Sequence, residues 1–147
     1  MLRSLLALAI CGPFLVVARA DDRPAEGPGT TKLDGAWRMV AYRTAGGDEP
    51  TPLPKGWEQT KLIAGGRFVW TTVRDGRITR AAGGKATVRD DEYTEQIEFV
   101  LSEQDRWMAG KTGTFHWRLE RGRLYVEGGI KTDTAESRIS EVWERIE

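Results

Sequence analysis

The sequence has very little cysteine and histidine, the residues that form disulfides in small domains or bind metals. Its 147 residues include one cysteine, Cys11, and one histidine, His116. Cys11 lies in an N-terminal segment that we expect to be removed, so the mature chain has no thiol and no disulfide. Zinc sites need several Cys or His ligands at close spacing, and no phosphate loop or nucleophile motif is present. We therefore predict no metal centre, no cofactor and no assigned catalytic residue.

Charge of one sign is also not concentrated anywhere in the chain. There are 22 basic and 22 acidic residues, and the basic residues are scattered among the acidic ones. Nucleic-acid-binding domains cluster Lys and Arg on one face, and anionic membranes attract the same kind of patch. The composition therefore excludes both as expected partners.

No apolar run reaches the roughly 20 residues that a membrane-spanning helix needs. In the first 20 residues, Arg3 precedes an apolar stretch over residues 5–17, and an Ala-Arg-Ala sequence at 18–20 follows it. This layout is typical of a secretory signal peptide. We predict cleavage after Ala20, export to a periplasm or to the extracellular space, and no stable membrane insertion.

The rest of the chain predicts a short linker and one β domain. Residues 21–32 are rich in Asp, Pro, Gly and Thr, which is typical of a flexible linker, and residues 33–147 are long enough for a single domain. Short runs of alternating apolar and polar residues recur there, divided by turn sequences such as Asp75-Gly76. About eight such runs predict an all-β, up-and-down antiparallel barrel, whose interior has room for side chains or one small ligand.

Two interruptions of this pattern are informative. The Gly83-Gly84 pair lies inside a long strand-like run and predicts a β-bulge, which lets a strand bend around a barrel. Residues 44–56 contain three prolines, which donate no ladder hydrogen bond, so we expect a loop that gates the mouth of the barrel.

Two short motifs lie at the ends of the domain: Gly35-Ala36-Trp37 and Glu141-Val142-Trp143-Glu144-Arg145. With Tyr93-Thr94-Glu95, they make residues 33–147 resemble the calycin superfamily, and within it the small exported bacterial lipocalin-like proteins. The resemblance implies a closed barrel in which Trp37 plugs one end beneath Arg145. The guanidinium of Arg145 can lie over the ring of Trp37 only if the first and last strands meet.

Aromatic residues and two carboxylates share the strand faces that we expect to point inward. Large rings are seldom left in water, and side chains alternate along a strand. These rules place Trp70, Trp117 and Trp143 inside with Phe68, Tyr93, Ile97 and Phe115, whereas His116 points outward. They place Phe99 and Leu101 on the face of Tyr93, with Glu95. The predicted ligand-binding residues are Trp70, Tyr93, Glu95, Trp117, Glu141 and Trp143.

The carboxylates of Glu95 and Glu141 leave three functions open. An unpaired charge inside an apolar barrel is costly, so each needs a partner, for which Arg67, Arg80 and Arg138 are the candidates, or a place in a salt bridge at the mouth. The leading hypothesis is a non-enzymatic protein that binds a small hydrophobic or amphipathic molecule in its lumen. The alternatives are a hydrolase or isomerase that uses the two glutamates, and a structural or interaction module with a filled core. No oligomeric state is predicted.

Overall fold

A computed structural model describes residues 31–43, 49–132 and 136–146. The predicted signal peptide and residues 21–30 of the predicted linker lie outside the described residues. In the described part, the strands are β1 (Gly35–Arg43), β2 (Thr51–Pro52), β3 (Trp57–Ala64), β4 (Arg67–Arg74), β5 (Arg77–Arg89), β6 (Glu92–Val100), β7 (Thr112–Glu120), β8 (Arg123–Lys131) and β9 (Glu136–Arg145). One 3-10 helix, Glu103–Met108, connects β6 to β7.

The eight long strands close into a barrel. Each pairs antiparallel with its neighbour in the order β1-β3-β4-β5-β6-β7-β8-β9, and β1 also pairs antiparallel with β9. The two-residue β2 pairs with Ala41 and Tyr42 of β1. Closure removes the free edges that an open sheet would expose. The predicted fold class, an up-and-down antiparallel barrel, is confirmed.

Tight turns connect consecutive strands where the sequence predicts them. Asp75 and Gly76, between β4 and β5, have φ values of 49° and 76°. Arg121 and Gly122, between β7 and β8, have values of 51° and 78°. A type I′ turn requires positive φ at both central residues, and its twist matches that of the strands it joins. These turns keep sequence neighbours adjacent in space, which produces the meander.

The predicted bulge lies at Gly83-Gly84, and it corrects one prediction about β6. Gly84 pairs with Ile97 and Gly83 with Phe99, so Glu98 is an additional residue in β6. An additional residue reverses the alternation beyond it. Phe99 and Leu101 are therefore 49% and 63% exposed, and the prediction that they share the inward face of Tyr93 is wrong.

One end of the barrel is closed by the pair that the two terminal motifs imply. Trp37 is buried, its Nε1 donates to the carbonyl of Leu33 at 2.8 Å, and the guanidinium carbon of Arg145 lies 4.3 Å from its ring centroid. Arg145 also donates to the carbonyl oxygens of Asp34 and Lys32. We call Trp37 with its covering Arg145 the plug. The plug joins β1, β9 and the segment before β1.

The 3-10 helix was not predicted, and it lies next to the barrel interior. Met108 is buried and belongs to the core, whereas Trp107 is partly exposed. The gating prediction for residues 44–56 concerns a segment of which 44–48 lie outside the described residues. Of the remainder, Thr51 and Pro52 form β2. Within the described residues, no helix is long and apolar enough to cross a membrane.

Candidate functional site

The barrel encloses a cavity of about 370 Å³. This volume is within the range of small-molecule sites, about 300–1,000 Å³. The lumen is therefore not packed solid, as a filled-core module would require. Its apolar and aromatic walls are formed by Met39, Tyr42, Leu53, Pro54, Trp57, Trp70, Ile97, Trp107, Met108, Phe115, Ile130 and Ile139. Its polar lining residues are Gln59, Lys61, Arg80, Glu95, Ser137 and Glu141.

Three strands bring one ammonium and two carboxylates together in this cavity. Lys61 of β3 donates from Nζ to Oε1 of Glu95 on β6 at 2.7 Å, and its Nζ lies 3.8 Å from Oε2 of Glu141 on β9. Lys61 and Glu95 are each only 4% exposed. Charges at this depth are tolerated only when they are paired and hydrogen-bonded. We call Lys61, Glu95 and Glu141 the charged cluster.

Strand alternation explains why these side chains point inward. In β3, Lys61 and Ile63 are buried, whereas Leu62 and Ala64 between and after them are exposed. In β6, Glu95 is buried between Tyr93 and Ile97 on the same face. Each charge is therefore carried into the interior by flanking apolar residues on its own strand.

Two aromatic side chains orient the carboxylates of the charged cluster. The Oη of Tyr93 donates to Oε1 of Glu95 at 2.7 Å, and Nε1 of Trp143 donates to Oε2 of Glu141 at 3.1 Å. Each donor is two residues from its acceptor on the same strand. The Lys61 ammonium also lies 4.9 Å from the Trp143 ring and 5.6 Å from the Tyr93 ring, within the range of cation–π contacts. These contacts fix both carboxylates.

Burial and the neighbouring charges shift three pKa values in this cluster. Burial alone would lower the pKa of Lys61, but attraction to Glu95 and Glu141 outweighs it and raises that pKa. Burial, reinforced by the negative charge of Glu95, raises the pKa of Tyr93 well above its ordinary value. Burial also raises the pKa of Glu141, against the opposing effect of Lys61. The ammonium is thus held in its charged form and the phenol in its neutral form.

A second ion pair attaches the 3-10 helix to the barrel. Arg80 of β5 donates from Nε to Oδ2 of Asp105 at 2.7 Å and from Nη2 to Oδ1 at 2.5 Å. Asp105 is buried, and the guanidinium carbon of Arg80 lies 5.7 Å from the Trp70 ring centroid. Two parallel hydrogen bonds fix the relative orientation of both groups. The helix that carries Trp107 and Met108 is thereby held over the cavity.

The six residues predicted to bind a ligand occupy three kinds of position. Trp70, Glu95 and Glu141 line the cavity. Tyr93 and Trp143 are buried behind the lining and donate to the two carboxylates. Trp117 is half-buried, packs against the core and is not among the lining residues. Its Nε1 has no hydrogen-bond partner among the described residues. A binding role for these residues stays a prediction.

The predicted arginine partners of the glutamates are wrong. Arg67 pairs with Glu98 at the surface, Arg80 pairs with Asp105, and Arg138 is exposed. The partner is Lys61, which shares a strand face with Trp57 and with the buried Ile63. That alternation was a usable signal, but lysine is among the residues least often buried. Sequence reasoning likewise did not identify Trp57, Trp107 and Met108 as lining residues.

The single histidine lies outside the barrel, as predicted. The side chain of His116 is exposed, and its Nδ1 lies 3.4 Å from Oδ2 of Asp91. In the part of the chain that the structure describes, no three His, Cys, Asp or Glu side chains are grouped closely enough to hold a metal ion.

A family model and several solved structures match this chain. The family model described as Domain of unknown function (DUF4488) matches residues 32–147. The crystal structure of a lipocalin-like protein from Bacteroides uniformis ATCC 8492 has a TM-score of 0.51 and 18% identity, over 78% of this chain and 98% of its own. That of an uncharacterized protein from Bacteroides eggerthii DSM 20697 has a TM-score of 0.45 and 13% identity, over 74% and 98%. Among curated proteins, none matches in sequence. The first structure confirms the predicted lipocalin-like fold.

Proposed function

The chain belongs to the DUF4488 family, and we propose that this member binds a small, partly apolar molecule in the lumen of its barrel. The observation that carries the proposal is the cavity of about 370 Å³, with walls that are mostly aromatic and aliphatic. Such a wall gains free energy when a ligand replaces water, at roughly 25 cal/mol per Å² of apolar surface. A few fixed polar groups in an apolar cavity are the usual composition of a ligand site.

The polar groups of this cavity are suited to orienting a ligand. The charged cluster is fixed by Tyr93 and Trp143, so a ligand that contacts it need not immobilise flexible side chains. Preorganisation of this kind lowers the entropic cost of binding. The apolar walls would supply most of the affinity, and the carboxylate of Glu141 would set the orientation.

Export is part of the proposal. The signal-peptide pattern of residues 1–20 supports it, and removal of that segment also removes Cys11. A mature chain without cysteine folds identically in oxidising and reducing compartments. Signal-peptide cleavage is tested by expressing the full chain with a C-terminal tag and sequencing the N-terminus of the product. We expect Asp21 at that N-terminus, and a product that retains Met1 in the cytoplasm would contradict export.

Tryptophan fluorescence tests lumenal binding directly. The probe is 1-aminoanthracene, an uncharged aromatic molecule at neutral pH, which fluoresces when it enters an apolar site. Trp70 lines the cavity and Trp117 does not. Tryptophan fluorescence is transferred to the bound probe, and we expect this transfer to fall more in Trp70→Phe than in Trp117→Phe. A cavity-filling variant, Ile139→Trp, should abolish probe binding while the chain stays folded.

The contrary outcomes are equally specific. Probe binding that is unchanged in Ile139→Trp would place the site outside the lumen. No binding of the probe, or of any compound in a metabolite and lipid screen that follows tryptophan fluorescence, would overturn the proposal.

One observation favours a second candidate function, a hydrolase or isomerase. Glu141 lines the cavity, and burial raises its pKa towards values suited to general acid–base catalysis. An untargeted metabolite extract incubated with wild type and with Glu141→Gln tests this candidate. Turnover by the wild type that the variant lacks would establish catalysis, and identical extracts would exclude it.

A further inference from the structure

The charges of the cavity wall do not balance. Arg80 is matched by Asp105 through two hydrogen bonds, and Lys61 is matched by Glu95 at 2.7 Å. Glu141 is the carboxylate that is left. Among the described residues, the cation paired with it is the same Lys61, at 3.8 Å, which is beyond hydrogen-bond distance.

Glu141 has acceptor capacity that the protein does not use. Among the described residues, its side chain accepts one hydrogen bond, from Nε1 of Trp143 to Oε2. A carboxylate can accept about four, two at each oxygen. The side chain is 17% exposed and lines the cavity, so a molecule in the lumen can reach it.

The ammonium of Lys61 is not comparably accessible. It is buried, bonded to Glu95, and close to the rings of Trp143 and Tyr93. The guanidinium of Arg80 also lines the cavity, with a side chain that is 33% exposed, but its charge is matched by Asp105. An anionic ligand would therefore find no unmatched cation in the described cavity wall, and the carboxylate of Glu141 would repel it. Like charges in a desolvated site are a strong basis for rejection.

From this imbalance we infer that the lumenal ligand carries one ammonium group, which binds the carboxylate of Glu141, on an apolar body that fills the rest of the cavity. The inference rests on the proposed lumenal binding function and specifies its ligand class. A cationic group would neutralise the excess carboxylate and use its free oxygen. It would also benefit from the ring of Tyr42 in the cavity wall, because a desolvated cation is attracted to an aromatic face.

A series of three compounds with the same body tests the inference. The probes are 4-phenylbutylamine, 4-phenylbutan-1-ol and 4-phenylbutyrate, which carry an ammonium, a hydroxyl and a carboxylate at pH 7. Their dissociation constants are measured by calorimetry and by displacement of 1-aminoanthracene. We expect the amine to bind at least about tenfold more tightly than the alcohol, because a charge-assisted hydrogen bond contributes more than a neutral one. The carboxylate should bind most weakly.

Substitution of the carboxylate locates the preference. In Glu141→Gln, we expect the affinity for the amine to fall about tenfold, to that of the alcohol, while the affinity for the alcohol stays the same. Glu98→Gln removes a carboxylate on the outer face, where it pairs with Arg67, and should change neither. The melting temperature of each variant shows whether it is folded.

Failure of the ammonium inference and failure of lumenal binding give different results. Equal binding of the three compounds, or tightest binding of the alcohol or the acid, would overturn the ammonium inference and leave lumenal binding intact. If neither 1-aminoanthracene nor any of the three compounds binds, lumenal binding itself fails, and the inference fails with it.

Discussion

The Lys61 ammonium donates to the Glu95 carboxylate at 2.7 Å across the interior of the barrel. Lys61 is on β3 and Glu95 is on β6, with β4 and β5 between them in the sheet. The two residues are therefore not cross-strand neighbours, and their contact exists only because the sheet curls until its opposite walls face each other. The ion pair couples barrel closure to the geometry of the cavity.

Breaking this pair should be far more costly than breaking a surface pair. In Glu95→Gln, the buried ammonium loses its nearest charge, and Tyr93 loses a charged acceptor. We expect the free energy of unfolding to fall by about 3–5 kcal/mol, the usual cost of an uncompensated buried charge. Urea denaturation followed by far-ultraviolet circular dichroism measures it.

The matched control is the exposed pair of Arg67 and Glu98. Glu98→Gln should cost less than about 1 kcal/mol, as exposed ion pairs usually do. The double variant Lys61→Met/Glu95→Leu should be more stable than the sum of the losses in Lys61→Met and in Glu95→Leu implies, because it leaves neither charge of that pair alone. Additive losses would show that the pair is not coupled.

The same cluster predicts a loss of stability at alkaline pH. The pKa values of Lys61, Tyr93 and Glu141 are all raised in the folded state, so each group binds its proton more tightly there than in the unfolded chain. Stability from Lys61 and Tyr93 is fully present below their ordinary values of 10.5 and 10.0 and is lost above them. The contribution of Glu141 is lost as pH rises from its ordinary value of 4.5.

Denaturation midpoints between pH 8 and 11 test this prediction. We expect the wild type to lose stability progressively above about pH 10, where the unfolded chain begins to release protons that the folded chain retains. In Tyr93→Phe, the decline should be shallower, because the phenol no longer contributes. Tyr125→Phe, in β8, is the control with an unchanged slope. Equal slopes in all three proteins would contradict the assignment to Tyr93.

Ligand exchange should depend on the ion pair between Arg80 and Asp105. This pair attaches the 3-10 helix to β5, and the helix supplies Trp107 and Met108 to the cavity wall. In Asp105→Asn, the charge that pairs with Arg80 is lost, so the helix should detach from the barrel more readily. If the attachment of the helix is weakened by about 1.4 kcal/mol, 1-aminoanthracene should dissociate about tenfold faster. Stopped-flow displacement measures the rate. Glu103→Gln, on an exposed pair with Arg106, should leave it unchanged.

Strand alternation predicted the buried faces well wherever the pairing is regular. Phe68, Tyr93, Ile97 and Phe115 are buried, as two-residue periodicity requires. The terminal motifs predicted the contact of Trp37 with Arg145, because a cation can cover that ring only when the barrel closes. These features follow from local pattern and from one topological constraint.

The orientation of Phe99, the partner of Glu95 and the 3-10 helix depend on three-dimensional detail that the local sequence pattern does not contain. Phe99 turned outward because the additional residue of the bulge lies in β6, whereas the glycines that predict the bulge lie in β5. The partner of Glu95 is 34 residues away on an opposite wall, and only the curvature of the barrel determines which cation reaches it. The 3-10 helix has no strand alternation, so Trp107 and Met108 gave no signal.

Gly35 should be the most sensitive position of the Gly35-Ala36-Trp37 motif apart from the tryptophan. Its φ is 139°, and a Cβ there would collide with Nη1 of Arg145, whose guanidinium covers Trp37. Gly110 also has positive φ, 76°, but a Cβ there meets nothing within 4 Å. Gly110→Ala thus measures the strain of a positive φ without a collision, at about 1–3 kcal/mol, whereas Gly35→Ala combines the strain at its own φ of 139° with displacement of Arg145 from Trp37. We expect Gly35→Ala to cost at least about 1 kcal/mol more in urea denaturation, with loss of near-ultraviolet dichroism from the tryptophans. Equal costs at the two glycines would show that Arg145 moves freely and that the plug contributes little to the stability of the barrel.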